Sequence, residues 1–133
     1  VKEPVWISEE IARAIHAEQI AEHGGSLGIR DENLLSASLA RPRHLLTYGE
    51  PILFDLAAAY GYGLAKNHPF IDGNKRTAFM VMYTFLGLNG YSLVVPERDV
   101  VTVMERLAAS GETQDSLARW LEENSFESVE FPR

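Results

Sequence analysis

His68-Pro-Phe-Ile-Asp-Gly-Asn-Lys-Arg76, with the apolar run that follows it from Thr77 to Leu88, is the stretch around which the rest of the chain is arranged. It gathers an imidazole, a carboxylate, an amide, a glycine and two cations in nine positions. Pro69 disfavours helical geometry at His68, which places the histidine in a turn or an extended segment. Gly73 lets the chain bend tightly or come close to a ligand. From Asn74 the residues favour a helix that stops at Asn89-Gly90. That helix is apolar almost all round, so it is expected to be central and buried. It is too short, and too interrupted by Thr and Gly, to span a membrane.

A helix start presents unpaired N–H groups and the positive end of the macrodipole, which together favour an anion, most often phosphate. Lys75 and Arg76 add positive charge there. Asp72 can hold a magnesium ion that bridges phosphate oxygens, and His68 can take a proton from an attacking hydroxyl. These are the parts of a phosphate-transfer site. The same residues also admit a plainer reading. Asp72 can be an N-cap, Lys75 and Arg76 solvated first-turn cations, and His68 a structural histidine. The stretch is not a P-loop, because the Lys does not follow a Gly and the upstream glycine spacing is absent.

Upstream, Ser8 is a good N-cap, and Ile7, Ile11, Ala14 and Ile15 recur at helical spacing as far as Gly24-Gly25. His16 and His23 lie on this helix without a His-Glu-x-x-His pattern. They read as solvated or capping histidines rather than metal ligands. Asp31 is expected to cap a short helix with Leu34, Leu35 and Leu39 inward, stopped by Pro42. Arg30, Arg41 and Arg43 can serve a partner or a nucleotide, but as isolated arginines they read as surface residues or ion pairs, which add little stability. Thr47 to Pro51 reads as a turn, with Tyr48 covering the core. Pro51 suits the first turn of a helix whose buried face is Ile52, Leu53, Leu56, Ala57, Tyr60 and Leu64. Gly61 and Gly63 each weaken that helix by about 1 kcal/mol relative to Ala, a cost explained if a neighbouring helix approaches closely. The helix ends near Lys66-Asn67, so the loop is mounted between two apolar helices. Downstream, Tyr91 to Val95 is a short extended stretch. Pro96 opens a helix with Val100, Val103, Met104 and Leu107 on one face. Thr113 caps a last helix with Leu117, Trp120 and Leu121 inward. The acidic tail from Glu122 loses periodicity and reads as frayed.

The 133 residues suffice for one compact domain over residues 1–133, with no repeat and no interdomain linker. A net charge of −7 disfavours nucleic-acid binding by the overall field. It favours a basic partner segment instead. Of three lysines, Lys66 and Lys75 flank the motif. The absence of cysteine rules out disulfides and thiolate chemistry and is compatible with a reducing cytoplasm, the expected location. No targeting or membrane segment is read.

The nine-residue stretch resembles the signature of the Fic/Doc superfamily, His-x-Phe-x-(Asp/Glu)-(Gly/Ala)-Asn-(Gly/Lys)-Arg. Lys75 resembles the variant of the Doc branch, the death-on-curing toxins of toxin–antitoxin modules. Gly28-Ile-Arg-Asp31 and Leu34-Leu-Ser-Ala-Ser-Leu-Ala-Arg-Pro42 also resemble that branch, and the likeness runs from about Ile7 to Leu121. It implies a compact all-α helical bundle with the active loop leading into a central helix. It also implies a reaction between a nucleoside triphosphate and a protein hydroxyl. Most Fic proteins transfer AMP, whereas Doc is a kinase that phosphorylates elongation factor Tu and stops translation.

Lys75 stands where the AMP-transfer pattern has Gly, and Phe79 where it has a second Arg that grips the distal phosphate, so γ-phosphoryl transfer from ATP is the expectation. On that resemblance His68 is the general base and Asp72 the Mg²⁺ ligand. Gly73, Asn74, Lys75 and Arg76 bind the phosphates, and Phe70 anchors the loop. An AMP-transferase and a non-catalytic Fic-fold binding module are the alternatives. In Fic-like proteins the connection equivalent to Thr47–Pro51 forms a flap for the target chain, although the segment here is short. The self-inhibitory pattern (Ser/Thr)-x-x-x-Glu-(Gly/Asn) is absent. Inhibition is therefore expected from a separate antitoxin whose C-terminal segment folds on binding.

Overall fold

The computed structural model describes residues 3–128. Three of the expected caps form. Ser8 accepts from the Ile11 N–H (3.1 Å) and opens α1, Glu9–His23. Asp31 accepts from the Leu34 N–H (3.0 Å) and opens α2, Glu32–Tyr48. Thr113 accepts from the Ser116 N–H (3.0 Å) and opens α6, Gln114–Glu123. Between them lie α3, Leu53–Asn67; α4, Asn74–Leu88; and α5, Glu97–Ala108. The fold is all-α, with one two-stranded antiparallel ribbon of β1, Tyr91–Leu93, and β2, Ser125–Glu127.

The two helices that carry the loop are held by packing on several sides. Ten of the fifteen residues of α3 are buried, and α2, α4, α5 and α6 all pack on it. Its small residues make this possible. A Cβ on Gly61 would lie 2.2 Å from Met82 Sδ, and one on Gly63 would lie 3.3 Å from Ser38 Cα. Gly61 therefore lets α4 come closer than a Cβ would allow without moving Met82, and Gly63 lets α2 pack more tightly than most Cβ contacts would, which accounts for their presence in a helix interior. Helix α4 buries Thr77, Ala78, Val81, Met82, Phe85 and Leu86, while Lys75, Arg76, Tyr83 and Leu88 are exposed.

Four local expectations are corrected. Helix α2 does not stop at Pro42 but runs through it to Tyr48. A mid-helix proline costs about 3 kcal/mol. Here Pro42 is itself buried, and Leu45 and Leu46 beyond it pack on the core, so tertiary burial prevails. Tyr48 consequently ends a helix and is 87 % exposed rather than covering the core. Ile52 is not on the buried face of α3. It precedes the helix, with its N–H accepted by Asp55 Oδ2 at 2.9 Å, and Pro51 lies one residue earlier still. The tail is not frayed as far as it is described. Glu122 and Glu123 close α6, and Ser125, Phe126 and Glu127 pair with Leu93, Ser92 and Tyr91. The Ser128 N–H then donates to the Gly90 carbonyl (2.8 Å). The rest of the tail, 129–133, lies outside the described residues.

Candidate active site

The site begins where α3 ends. The His68 N–H donates to the Leu64 carbonyl (3.3 Å), and His68 itself is left-handed, φ 48° and ψ 57°. Left-handed geometry is uncommon for a residue with a Cβ. Pro69 behind it removes the right-handed alternative, as expected. Phe70 is 1 % exposed and plugs the core. The Asn74 side chain then ties the loop across its base, Oδ1 accepting from the Phe70 N–H and Nδ2 donating to the Phe70 carbonyl, both at 2.9 Å. The amide is thus committed to the loop's own backbone, and what Asn74 has to offer an anion is its N–H.

Asp72 does not cap α4, so the plainer reading of that residue fails. The cap position is Gly73, left-handed at φ 75°. The Asp72 carboxylate turns to the Gly24–Arg30 loop instead, where Oδ2 accepts from the Ser26 N–H at 2.8 Å. Gly25 allows this approach, because a Cβ there would lie 3.2 Å from Asp72 Cβ. The first hydrogen bond of α4 runs from the Thr77 N–H to the Gly73 carbonyl (2.9 Å), so the N–H groups of Asn74, Lys75 and Arg76 point out of the helix end.

Several residues outside the motif hold this loop, and none of them is expected to from sequence alone. His16 is not solvated and does not cap a helix. It is 4 % exposed, its ring stacks on Phe70 at 3.9 Å between centroids, and Nε2 lies 2.8 Å from the Asp72 carbonyl. A carbonyl only accepts, so Nε2 carries the proton in this contact. One signal in the sequence points this way. His16 falls four residues after Ala12 and four before Ile20, both buried, and so lies on the inward stripe of α1.

The three arginines expected at the surface or in ion pairs are all exposed, and none pairs with a carboxylate among the described residues. Arg30 donates to two backbone carbonyls, from Nε to His68 (2.7 Å) and from Nη2 to Asn67 (2.8 Å). Arg41 donates to Gln114 Oε1 (2.7 Å) and covers the Tyr62 ring, and Arg43 covers the Trp6 ring. The segment Gly28–Asp31 runs beside the loop as a short antiparallel brace. Ile29 bridges Phe70, the Ile71 N–H donates to the Gly28 carbonyl (3.1 Å), and the Arg30 and Asp31 N–H groups donate to the Pro69 carbonyl (2.7 and 3.1 Å).

The result is an open cleft of about 440 Å³, lined by His68, Asp72, Gly73, Asn74, Lys75 and Arg76 together with Gly24, Gly25 and Ile71. Every expected catalytic, metal or phosphate residue borders it, and Phe70 sits beneath. Next to it, a groove of about 780 Å³ between α1, α4 and α5 shares Lys75 and Arg76. Its walls include Phe79, Met80, Val100 and Met104, and its rim includes Glu18, Glu22, Glu97 and Glu105. Among the described residues, no group of three or more His, Cys, Asp or Glu gathers to hold a metal by itself. Asp72 is exposed, and its Oδ1 has no hydrogen-bond partner among the described residues. A single free carboxylate oxygen suits a magnesium ion that arrives on substrate phosphates better than a resident one. Among the described residues, no helix is long and apolar enough to cross a membrane.

The model of the Fic/DOC family matches residues 6–86. Toxin Doc of Mycolicibacterium smegmatis is 49 % identical over 73 residues, which cover 53 % of this chain and 55 % of that toxin, so the chain matches little more than half of that relative's length. Protein kinase doc of Escherichia phage P1 is 36 % identical over 108 residues, 80 % of this chain and 83 % of the relative. The family match spans the brace, the loop, α3 and all but the last two residues of α4, and the chain belongs to the Fic/DOC family, on its Doc branch.

Proposed function

We propose that this protein is the toxin of a toxin–antitoxin module, a kinase that transfers the γ-phosphoryl group of ATP to a Ser or Thr hydroxyl of a translation factor resembling elongation factor Tu. The observation that carries the reading is the convergence of the His68 imidazole, the Asp72 carboxylate and the cationic N-terminus of α4 on one cleft. The name Protein kinase doc, borne by the phage P1 relative, supports the reaction class.

In this reading the substrate hydroxyl oxygen attacks the γ-phosphorus, the bond to the β-phosphate oxygen breaks, ADP leaves, and the hydroxyl proton passes to His68. The N–H groups at the start of α4, with Lys75 and Arg76, hold the phosphate oxygens. Asp72 would hold Mg²⁺ against those oxygens, where the ion neutralises their charge. Phe79 lines the neighbouring groove where the AMP-transfer pattern has an arginine, leaving no cation at that position to grip a distal phosphate. That difference favours γ-phosphoryl over adenylyl transfer. The same groove, apolar inside and acidic at its rim, suits an amphipathic basic segment of an antitoxin that folds as it binds.

The test is intact mass spectrometry of elongation factor Tu after incubation with Mg–ATP and either this protein or its His68→Ala variant. A phosphoryl adduct that needs His68 is expected. An adenylyl adduct would make the protein an AMP-transferase. No adduct, together with no Mg–ATP binding, would make it a non-catalytic module.

A further inference from the structure

We propose that Arg30, which lies outside the motif, is a positioning residue that sets the backbone of His68 and so aims its imidazole; the proposal rests on the reading of His68 as the general base. The Arg30 guanidinium spans the last two carbonyls at the C-terminal end of α3, Nη2 to Asn67 at 2.8 Å and Nε to His68 at 2.7 Å. Those carbonyls lie at the negative end of the helix macrodipole, where a cation is favoured. They have no intrahelical donor to satisfy them. The fork geometry matters as well as the charge. Two parallel N–H donors in one plane fix the relative orientation of two successive peptide units, which a single ammonium cannot do.

What those two peptide units enclose is the left-handed turn at His68, φ 48°. Neither neighbour forces this conformation. Pro69 removes the right-handed region but leaves the extended one open. An extended His68 would rotate its side chain away from the mouth of the cleft and release the Asn67 and His68 carbonyls from Arg30. The Arg30 backbone already braces Pro69 through its N–H (2.7 Å), so the side chain acts from an anchored base. Arg30 is itself exposed and 38 residues away in sequence from His68, and it is not among the residues of the hydrophobic core. Its role is therefore separable from that of the fold.

The test compares wild type, Arg30→Ala and Arg30→Lys by two measurements. The first does not involve activity. The His68 Cα and Cβ chemical shifts report its backbone region, and both variants are expected to move away from the left-handed values while Thr77 to Leu86 stay unchanged. The second is phosphoryl transfer to elongation factor Tu. Arg30→Ala is expected to lower kcat by about 10². Its Mg–ATP dissociation constant should stay within about twofold, because α4, Lys75 and Arg76 are untouched. Arg30→Lys should fall between the two, and added guanidinium ion should restore part of the lost rate in Arg30→Ala. Unchanged His68 shifts would overturn the proposal. So would a rate loss that tracks an equal loss of ATP affinity and melting temperature, since that is the mark of a merely structural residue. A wild type that makes no adduct would defeat the reading of His68 as base, while the shift measurement would still decide whether Arg30 sets its backbone.

Discussion

The His16 imidazole lies flat on the Phe70 ring, with centroids 3.9 Å apart and planes 6° apart, and donates its Nε2 proton to the Asp72 carbonyl at 2.8 Å. One side chain on α1 thus touches the loop's buried plug and its exposed carboxylate residue together. The two contacts separate by mutation. His16→Phe keeps the stack and leaves a carbonyl unpaired beside solvent, which costs about 1 kcal/mol. His16→Ala removes both and opens a void against Phe70, which costs about 2–4 kcal/mol. Urea midpoints should fall in the order wild type, Phe, Ala. An alanine variant as stable as wild type would show that the stack contributes nothing.

Two glycines, one in α3 and one in α4, predict opposite signs for the same substitution. Gly61 faces Met82 so closely that an added methyl would meet Sδ at 2.2 Å and Cγ and Cε at 2.9 Å. Met82 is fully buried, so its side chain can yield only by disturbing the core packed around it. Gly61→Ala should therefore destabilise by about 1–3 kcal/mol even though alanine is the better helix former. A methyl added at Gly87 would meet nothing within 4 Å, and Gly87→Ala should stabilise by about 0.5–1 kcal/mol. Thermal melts of the two variants check the pair, and a destabilised Gly87→Ala would refute the second half.

How far the sequence is readable follows from how local each signal is. Three side-chain caps, the motif and the helix stops at Gly24 and Asn89 depend on neighbours within four residues, and each appears at its expected place. The continuation of α2 through Pro42 is not readable, because it depends on what Leu45 and Leu46 meet after folding. The β-ribbon is half readable. Tyr91–Leu93 looks extended, but its partner Ser125–Glu127 comes 34 residues later in an acidic tail and has no strand pattern of its own. Of the site, the residues in the motif are legible because the chain presents them consecutively. Ser26 and Arg30 contribute a backbone N–H and a side chain aimed at backbone carbonyls. Contacts to backbone leave no complementary residue for a sequence pattern to reveal.

Thr77 is fully buried in the first turn of α4, and its hydroxyl has no hydrogen-bond partner among the described residues. A threonine in a helix usually returns its hydroxyl to the carbonyl one turn back. A buried hydroxyl without a partner costs about 1–3 kcal/mol of desolvation. Thr77→Val keeps the branched shape and removes that penalty, so the variant should be more stable by about 1 kcal/mol. Denaturant unfolding with an unchanged m-value is the measurement. A loss of stability would mean that the hydroxyl is satisfied in solution.

Tyr60 stands on the core side of the loop's first mounting helix. Its ring is fully buried against Phe85, and its hydroxyl oxygen accepts from the Ile7 N–H at 3.0 Å. Burial raises its pKa above the ordinary value of 10.0, while the Ile7 hydrogen bond and Arg43 pull the other way without reversing the shift. A raised folded pKa means that the folded state holds its proton after the unfolded chain has lost it. The stabilising contribution is therefore complete below about pH 10 and is lost as pH rises from there through the folded pKa. The loss reaches at most about 1.4 kcal/mol per pH unit. Tyr60→Phe should be less stable at pH 7 by about 1 kcal/mol, because the Ile7 N–H loses its acceptor. The gap should then narrow above pH 10, where only the wild type has a residue 60 that ionises on unfolding. Subtracting the two stability curves cancels the other tyrosines, and a gap that stays constant from pH 7 to about pH 11 would show that Tyr60 titrates alike in both states.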